Sequence, residues 1–291
     1  MGRPTLTEAR LERYRRHTFR LSASRNIRSS RGALRFVNEV GFAFLWPIAG
    51  LDLPSLWGAV AGDRPVASEH DDPAHITWRW KDESLGKGLW YYGKLLRGKA
   101  TFVSHQVLPD FYALSPRLGD LDDFHQAYEN GGLIWEAMRL AELLLKRGAT
   151  DTIALRKLTF MTSAGAKSRF ERALTDLQRG LWILPVAVAE VGSWHYAFVY
   201  DLVDRAFPRL ISQAAMRTQE EARVSIAGRY LDVVGTCNAD RLMRLFGWGS
   251  EDSGNSLSAL AARGRAIPFK DGRYFSAHVP RRSHWLAVTA P

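Results

Sequence analysis

The order of patterns between Gly132 and Val203 constrains the fold of this chain more than any other feature. "LIWEAMRLAELLLKRG" spaces its apolar residues as a helix does and closes on Lys-Arg-Gly, cations and a glycine that suit a helix C-terminus. "TDTIALRKLTFM" adds a Thr/Asp cap and a short second helix, and "TSAGAKSRFERALTDLQRG" adds a turn and a third helix closed at Gly180. "LWILPVAVAE" and "WHYAFVYDLV" are β-rich runs joined across "VGS", the pattern of a hairpin. Helix, short helix, turn, helix, hairpin is the order of a winged helix-turn-helix.

The last third repeats that order loosely. "TQEEARVSIAGRYLDVV" opens on a capping-box-like Thr218 and Glu221 and predicts a long helix. "GTCNADRLMRLFGW" predicts a second helix capped near Asn238, and "SGNSLSALAARGRAIPF" a third that ends in Arg-Gly. A hairpin turned at Asp271-Gly272 follows. What recurs is architecture rather than sequence. In the first third, Thr5 to Leu21 reads as an Arg-rich amphipathic helix, Ser29 to Val40 as another, and "GFAFL" as a short strand. Trp46 to Gly62 is turn-rich with a short helix. "RPVASEHDDPAHITWRW" reads as a loop and then a strand, with Trp78 and Trp80 on one face and Arg79 and Lys81 on the other. The expected class is α+β: tandem winged helix-turn-helix domains with short β-hairpin wings and a small β-rich C-terminal portion. Four segments follow: an Arg-rich winged-helix-like domain at 1–62, an aromatic and basic connecting region at 63–131, a central winged helix-turn-helix at 132–210, and a winged-helix-like or β-rich domain at 211–291.

The charge is placed as unevenly as the elements are ordered. The 291 residues carry a net charge of +10, which favours an anionic partner such as nucleic acid or an acidic membrane surface. Residues 1–35 hold ten arginines against two glutamates, and guanidinium forks suit phosphate or base edges. Arg13, Arg16, Arg20, Arg25, Arg28 and Arg31 are therefore candidate DNA contacts. A second group is interleaved with rings in "TWRWKDESLGKGLWYYGKLLRGK": Trp78, Arg79, Lys81, Trp90, Tyr91, Lys94, Arg97 and Lys99. Rings stack on bases while cations meet phosphates, although the same residues also fit a core with a solvated cationic face. A third group, Lys167, Arg169 and Arg172, sits in the N-terminal half of the third helix, where a recognition helix meets a major groove.

Motifs for chemistry are scarce. The single Cys237 excludes an intramolecular disulfide and any multi-cysteine zinc site, and its nearest histidines, His278 and His284, are distant in sequence. "SEHDDPAH" gathers His70, His75 and three acids, but Asp-Asp-Pro is also ordinary turn chemistry. Glycine-rich phosphate loops and the G-x-S-x-G elbow are missing. No metal and no cofactor is expected. No apolar run reaches the length of a membrane span, so a cytoplasmic, nucleoid-associated protein with no membrane partner is expected.

"FVNEVGFAFLWPIAGLDLPSLWGAVAG", the "WRWKDESLGKGLWYYGKLLRGKATFVS" block and the 151–203 run together resemble the AlkZ/YcaQ winged-helix proteins, nearest to the AlkZ-related branch. The resemblance is strongest at residues 36–203. It implies a scaffold of tandem winged helices, double-stranded DNA as partner, whether intact or damaged, and excision of crosslinked or bulky alkylated bases without a metal. In family glycosylases a Gln-x-Gln or Gln-x-Asp pair positions the attacking water. The corresponding place here is Val40-Gly41-Phe42-Ala43-Phe44, apolar at both polar positions. A family histidine in a W-x-H-x-A context is likewise replaced, with Lys94 or Lys99 in its place. Excision needs a polar group to hold water and to stabilise an oxocarbenium-like charge. The resemblance therefore implies a monomeric DNA-binding protein on a glycosylase scaffold. The alternative is an active glycosylase with a relocated carboxylate drawn from Glu39, Asp52, Asp71 or Asp72, and a third reading is a transcription factor using its winged helices alone.

Overall fold

The structure is a computed structural model that describes residues 7–192 and 194–281. Thr5, Ser193 in the predicted hairpin turn, and His284 lie outside the described residues. The chain forms two units, one from Met1–Thr77 together with Gln219–Pro291 and the other from Trp78–Thr218.

In the first unit, helix Glu8–Thr18 is capped by Thr7, whose side chain accepts from the Arg10 N–H, and helix Ser30–Val40 is capped in the same way by Ser29. Strand Phe42–Phe44 and helix Leu56–Ala61 follow. Helix Gln219–Val234 buries a broad apolar face, with Ala222, Val224, Ile226, Ala227, Tyr230, Leu231, Val233 and Val234 buried, while Arg223, Arg229 and Asp232 interrupt it. Helix Ser250–Ala262 packs on it, and Ala239–Phe246, capped by Asn238, packs on Ser250–Ala262. A small antiparallel sheet in the order Thr236–Cys237, Tyr274–Ser276, Ala266–Pro268 completes the cluster. Polar bonds tie Glu8–Thr18 to the long helix. The Tyr14 hydroxyl donates to the Asp232 carbonyl at 2.5 Å, Arg15 Nε to the Val234 carbonyl at 2.9 Å, and Thr18 Oγ1 to the Val233 carbonyl at 2.7 Å.

The second unit contains the 132–203 pattern as observed elements. Helices Trp135–Arg147, Thr152–Leu158 and Lys167–Arg179 precede strands Ile183–Ala189 and Ala197–Leu202. The two strands pair antiparallel from Ile183↔Leu202 to Ala189↔Ala197, and Thr150–Asp151 pairs on the other side of Ala197–Leu202. Asp151 caps Thr152–Leu158 by accepting from the Ile153 and Ala154 N–H groups, each at 2.9 Å. Phe124, Leu140, Leu144, Leu155, Phe170, Leu177, Trp182 and Ile183 share one core, each side chain stabilising by about 1.5–3 kcal/mol on burial. Strands Tyr91–Gly93 and Thr101–Val103 form a second antiparallel pair.

One expected element changes type. Trp78 and Trp80 lie on helix Ile76–Ser84 rather than on a strand. Asp72 caps the preceding turn by accepting from the Ala74 N–H at 2.8 Å, and Thr77 Oγ1 donates back to the Ala74 carbonyl. The buried residues are Thr77, Trp80, Lys81 and Ser84, a helical spacing, so the Trp-Arg-Trp-Lys alternation is not the period that packing uses. Trp78 and Trp80 accordingly part company: Trp78 is exposed and Trp80 is buried.

Candidate nucleic-acid interface

The second unit brings two of the predicted cation groups together. Helix Lys167–Arg179 buries Phe170, Ala173, Leu174, Leu177 and Gln178, which leaves Lys167, Arg169 and Arg172 exposed. The Lys94–Lys99 loop packs on the same helix. Gln178 Oε1 accepts from the Lys94 N–H at 3.1 Å, and the Gln178 carbonyl accepts from the Tyr91 hydroxyl at 3.0 Å. Lys94 Nζ donates to Thr175 Oγ1 at 3.4 Å, and Gly98 lies against the Thr175 methyl. Arg97 holds a left-handed backbone with φ 54°, and Lys94, Arg97 and Lys99 are all exposed. Two cations on the helix are partly matched by acids, Arg169 with Glu136 at 3.0 Å and Arg172 with Asp176 at 3.5 Å.

The rings of the 77–99 stretch divide between core and surface, which corrects part of the sequence-based assignment. Trp90 is 5% exposed, its indole N–H donating to Ser84 Oγ at 2.9 Å, and Tyr91 is 0% exposed, so neither presents a face to a ligand. Burial pushes the Tyr91 phenol far above its ordinary range. Lys81 is also fully buried and cannot meet a phosphate. Its ammonium donates to the Tyr196 hydroxyl at 2.8 Å, pairs with Asp82 at 2.8 Å, and stands 3.9 Å from the centre of the Trp78 ring and 4.6 Å from that of Phe198. Desolvation lowers its pKa, and Asp82 opposes the shift. Trp78 and Arg79 remain at the surface, with Arg79 3.4 Å from Glu83.

In the first unit, Arg13, Arg28 and Arg31 are exposed and make no ion pair with any described residue. Arg16 is paired with Asp63, Arg20 with Glu39, and Arg25 Nη1 lies 3.0 Å from His17 Nδ1. Arg20, Arg25 and Glu39 open onto a polar cleft of about 440 Å³, which Arg229, Asp232, His17 and His278 also line. Arg229 Nη1 donates to the Glu39 carbonyl at 3.3 Å, and Asp232 accepts from Arg265 at 2.9 Å and from the Ser276 hydroxyl at 2.6 Å. Sequence reasoning missed Asp232, Arg229, His17 and His278. The available signal was Asp232 itself, a lone acid in the apolar run "YLDVV".

The four candidate carboxylates have different surroundings. Asp52 is held between Arg241 at 2.7 Å and Arg15 at 3.5 Å. Asp72 pairs with Arg64 at 2.7 Å while capping its turn, and that guanidinium holds its carboxyl below the usual range. Asp71 is exposed in the loop. Glu39 alone of the four lines the cleft. Phe42 and Phe44 are 1% and 0% exposed, on a strand buried throughout. Cys237 is buried too, and burial pushes its thiol up to about 12. Among the described residues no group of three or more His, Cys, Asp or Glu is placed to hold a metal ion, and no helix is long and apolar enough to cross a membrane.

Helical clusters closed by small antiparallel ladders define an α+β scaffold, and the same arrangement is found in Streptomyces sahachiroi DNA glycosylase AlkZ. The two superpose with a TM-score of 0.58 at 12% identity, over 99% of this chain and 73% of that one. No curated protein matches in sequence. The family described as AlkZ related matches residues 27–247, and the chain belongs to that family.

Proposed function

We propose that this protein binds double-stranded DNA on a glycosylase scaffold and does not excise bases. The observation that carries the reading is the packing of the Lys94–Lys99 loop on helix Lys167–Arg179. The exposed Lys94, Arg97 and Lys99 are thereby carried on the same helix whose exposed residues include Lys167, Arg169 and Arg172, which supports reading the two groups as one cationic surface. Helix, short helix, helix and β ladder at 135–202 fit a winged helix-turn-helix, with Lys167–Arg179 as the element that enters a groove. The finer division into 1–62, 63–131, 132–210 and 211–291, with winged-helix character at both ends, belongs to the same proposal, as do a monomeric state and a place at the nucleoid. Arg13, Arg28 and Arg31 would add phosphate contacts from the first unit. The absence of excision is supported by Phe42 and Phe44, whose side chains fill a core and have no atom to hold water.

The test is fluorescence anisotropy on a duplex across a salt series, run beside an excision assay. Wild type is expected to bind with a steep salt dependence, because each neutralised phosphate releases a counterion. Lys167→Glu with Arg97→Glu should weaken binding about tenfold or more and flatten the salt slope by roughly one per lost contact. Unchanged affinity in that variant would refute the surface. On a duplex carrying an N7-alkylated guanine, alkali-labile breakage should not exceed spontaneous depurination. One observation favours a second reading, an active glycosylase: Glu39 lies in the arginine-lined cleft, where a carboxylate could hold water near a bound base. Breakage above background that Glu39→Gln abolishes would establish that reading instead.

A further inference from the structure

The second unit ends its longest hairpin in a residue that packing does not account for. Trp194, between strands Ile183–Ala189 and Ala197–Leu202, is 89% exposed, whereas the core of the same unit buries Trp80, Trp90 and Trp182. Gly192 and His195 both take left-handed backbone, φ 79° and 48°, the second at a side chain that pays for it. The bond between the Gly192 carbonyl and the His195 N–H, at 3.2 Å, closes the turn. A side chain at Gly192 would meet Ile153 Cδ1 at 2.4 Å, so Gly192 lies close against the start of helix Thr152–Leu158.

Two residues on, within about 7 Å of chain, Tyr196 meets Trp78 with ring centres 6.0 Å apart. Both rings are fixed from behind. Lys81 Nζ bonds the Tyr196 hydroxyl and lies under the Trp78 ring, and that hydroxyl also donates to Asp82 Oδ1 at 2.9 Å. Trp78 nevertheless keeps 42% of its surface open, with Arg79 exposed beside it. A buried lysine, an acid and a phenol thus hold a partly open indole from behind, and the hairpin turn two residues before Tyr196 carries a second indole that is 89% exposed.

We propose that Trp194, Trp78 and Tyr196 form a platform on which an unpaired nucleobase stacks, so that the protein prefers DNA with an unstacked or missing partner over continuous duplex. This rests on the DNA-binding reading above. A base is the favoured occupant for two reasons. Flat π-faces lose little entropy when they stack, and the exposed Arg79 that follows Trp78 in the chain offers a cation to a strand's phosphate. Lys81 is a positioning residue in this scheme, since it touches the rings and not the base.

The experiment compares a continuous duplex with one of equal length carrying a two-nucleotide gap, using wild type, Trp194→Ala and Trp194→Phe at one salt concentration. A base stacked on an indole is expected to give wild type roughly tenfold preference for the gapped duplex. Trp194→Ala should abolish that preference while leaving affinity for continuous duplex and its salt slope unchanged, and Trp194→Phe should restore most of the preference. Because Trp194 is exposed, its variants are expected to keep the wild-type melting temperature. Wild type that binds both duplexes equally, or a preference that survives Trp194→Ala, overturns the platform and leaves DNA binding standing. Wild type that binds neither overturns the DNA-binding reading itself and the platform with it.

Discussion

Two buried residues make opposite demands on their surroundings, and each gives a measurable consequence. Cys237 asks for nothing: it is 1% exposed with its thiol pushed up to about 12 by burial, so it stays protonated at neutral pH. A thiol reagent should leave native protein unmodified at pH 8 and label it fully in denaturant, and rapid native labelling would contradict this burial. Because the folded thiol's pKa is raised, its contribution to stability is complete below the unfolded value of about 9 and is lost as pH climbs towards 12. Arg117 asks for a great deal. Its side chain is 1% exposed, donating to both Asp123 oxygens at 2.8 Å, to Asp204 and to the Leu181 carbonyl at 2.9 Å. Burial also raises the Asp204 carboxyl, against the pull of Arg117. Arg117→Met strands two buried carboxylates and should cost about 3–5 kcal/mol in urea unfolding at pH 7. The loss should shrink at lower pH, where protonation removes the stranded charge. A loss under 1 kcal/mol at pH 7 would show that the network is not coupled to stability.

At the scale of elements, Gln178 connects the basic loop to the helix beneath it. It is 2% exposed, with Oε1 on the Lys94 N–H and Nε2 on the Leu174 carbonyl. Gln178→Leu leaves the Lys94 amide without its partner, a loss of about 1–3 kcal/mol. The Lys94–Lys99 loop should then exchange amide hydrogens faster while strand Ile183–Ala189 stays protected, and equal exchange in both would overturn the link. This contact also marks how far the sequence could be read. The helices and strands of 135–202 were legible because each has its own period and its own stop signal, such as Gly148 or Gly180. Helix Ile76–Ser84 was misread because two tryptophans two residues apart imitate a strand, and only tertiary burial of Thr77, Trp80, Lys81 and Ser84 reveals the longer period. The arginines and lysines were visible as cations, but not which of them, like Lys81, would be enclosed by rings. That depends on Tyr196 and Phe198, more than a hundred residues away. Trp194 was read as the first residue of the second β-rich run, whereas the strand begins only at Ala197 and leaves Trp194 in the turn, 89% exposed.

The whole chain passes through its two units in an interrupted order. Trp78–Thr218 is continuous and carries its own core and sheet, so residues 78–218 expressed alone should melt in one cooperative transition; a broad, non-cooperative melt would refute that independence. The first unit has no such fragment, because it is made from both flanks of that insertion. Helix Glu8–Thr18 finds its partners in the carbonyls of Asp232, Val233 and Val234. On a ribosome adding about 5–20 residues per second, the residues that separate them take roughly 10–40 s to be made. During that time the inserted unit can emerge and close while the arginine-rich helix still lacks the backbone carbonyls to which it bonds. The order of synthesis therefore runs opposite to the order of assembly here: a helix translated before the inserted unit is completed after it, and until then its cations are available to any polyanion nearby, the messenger and ribosomal RNA included.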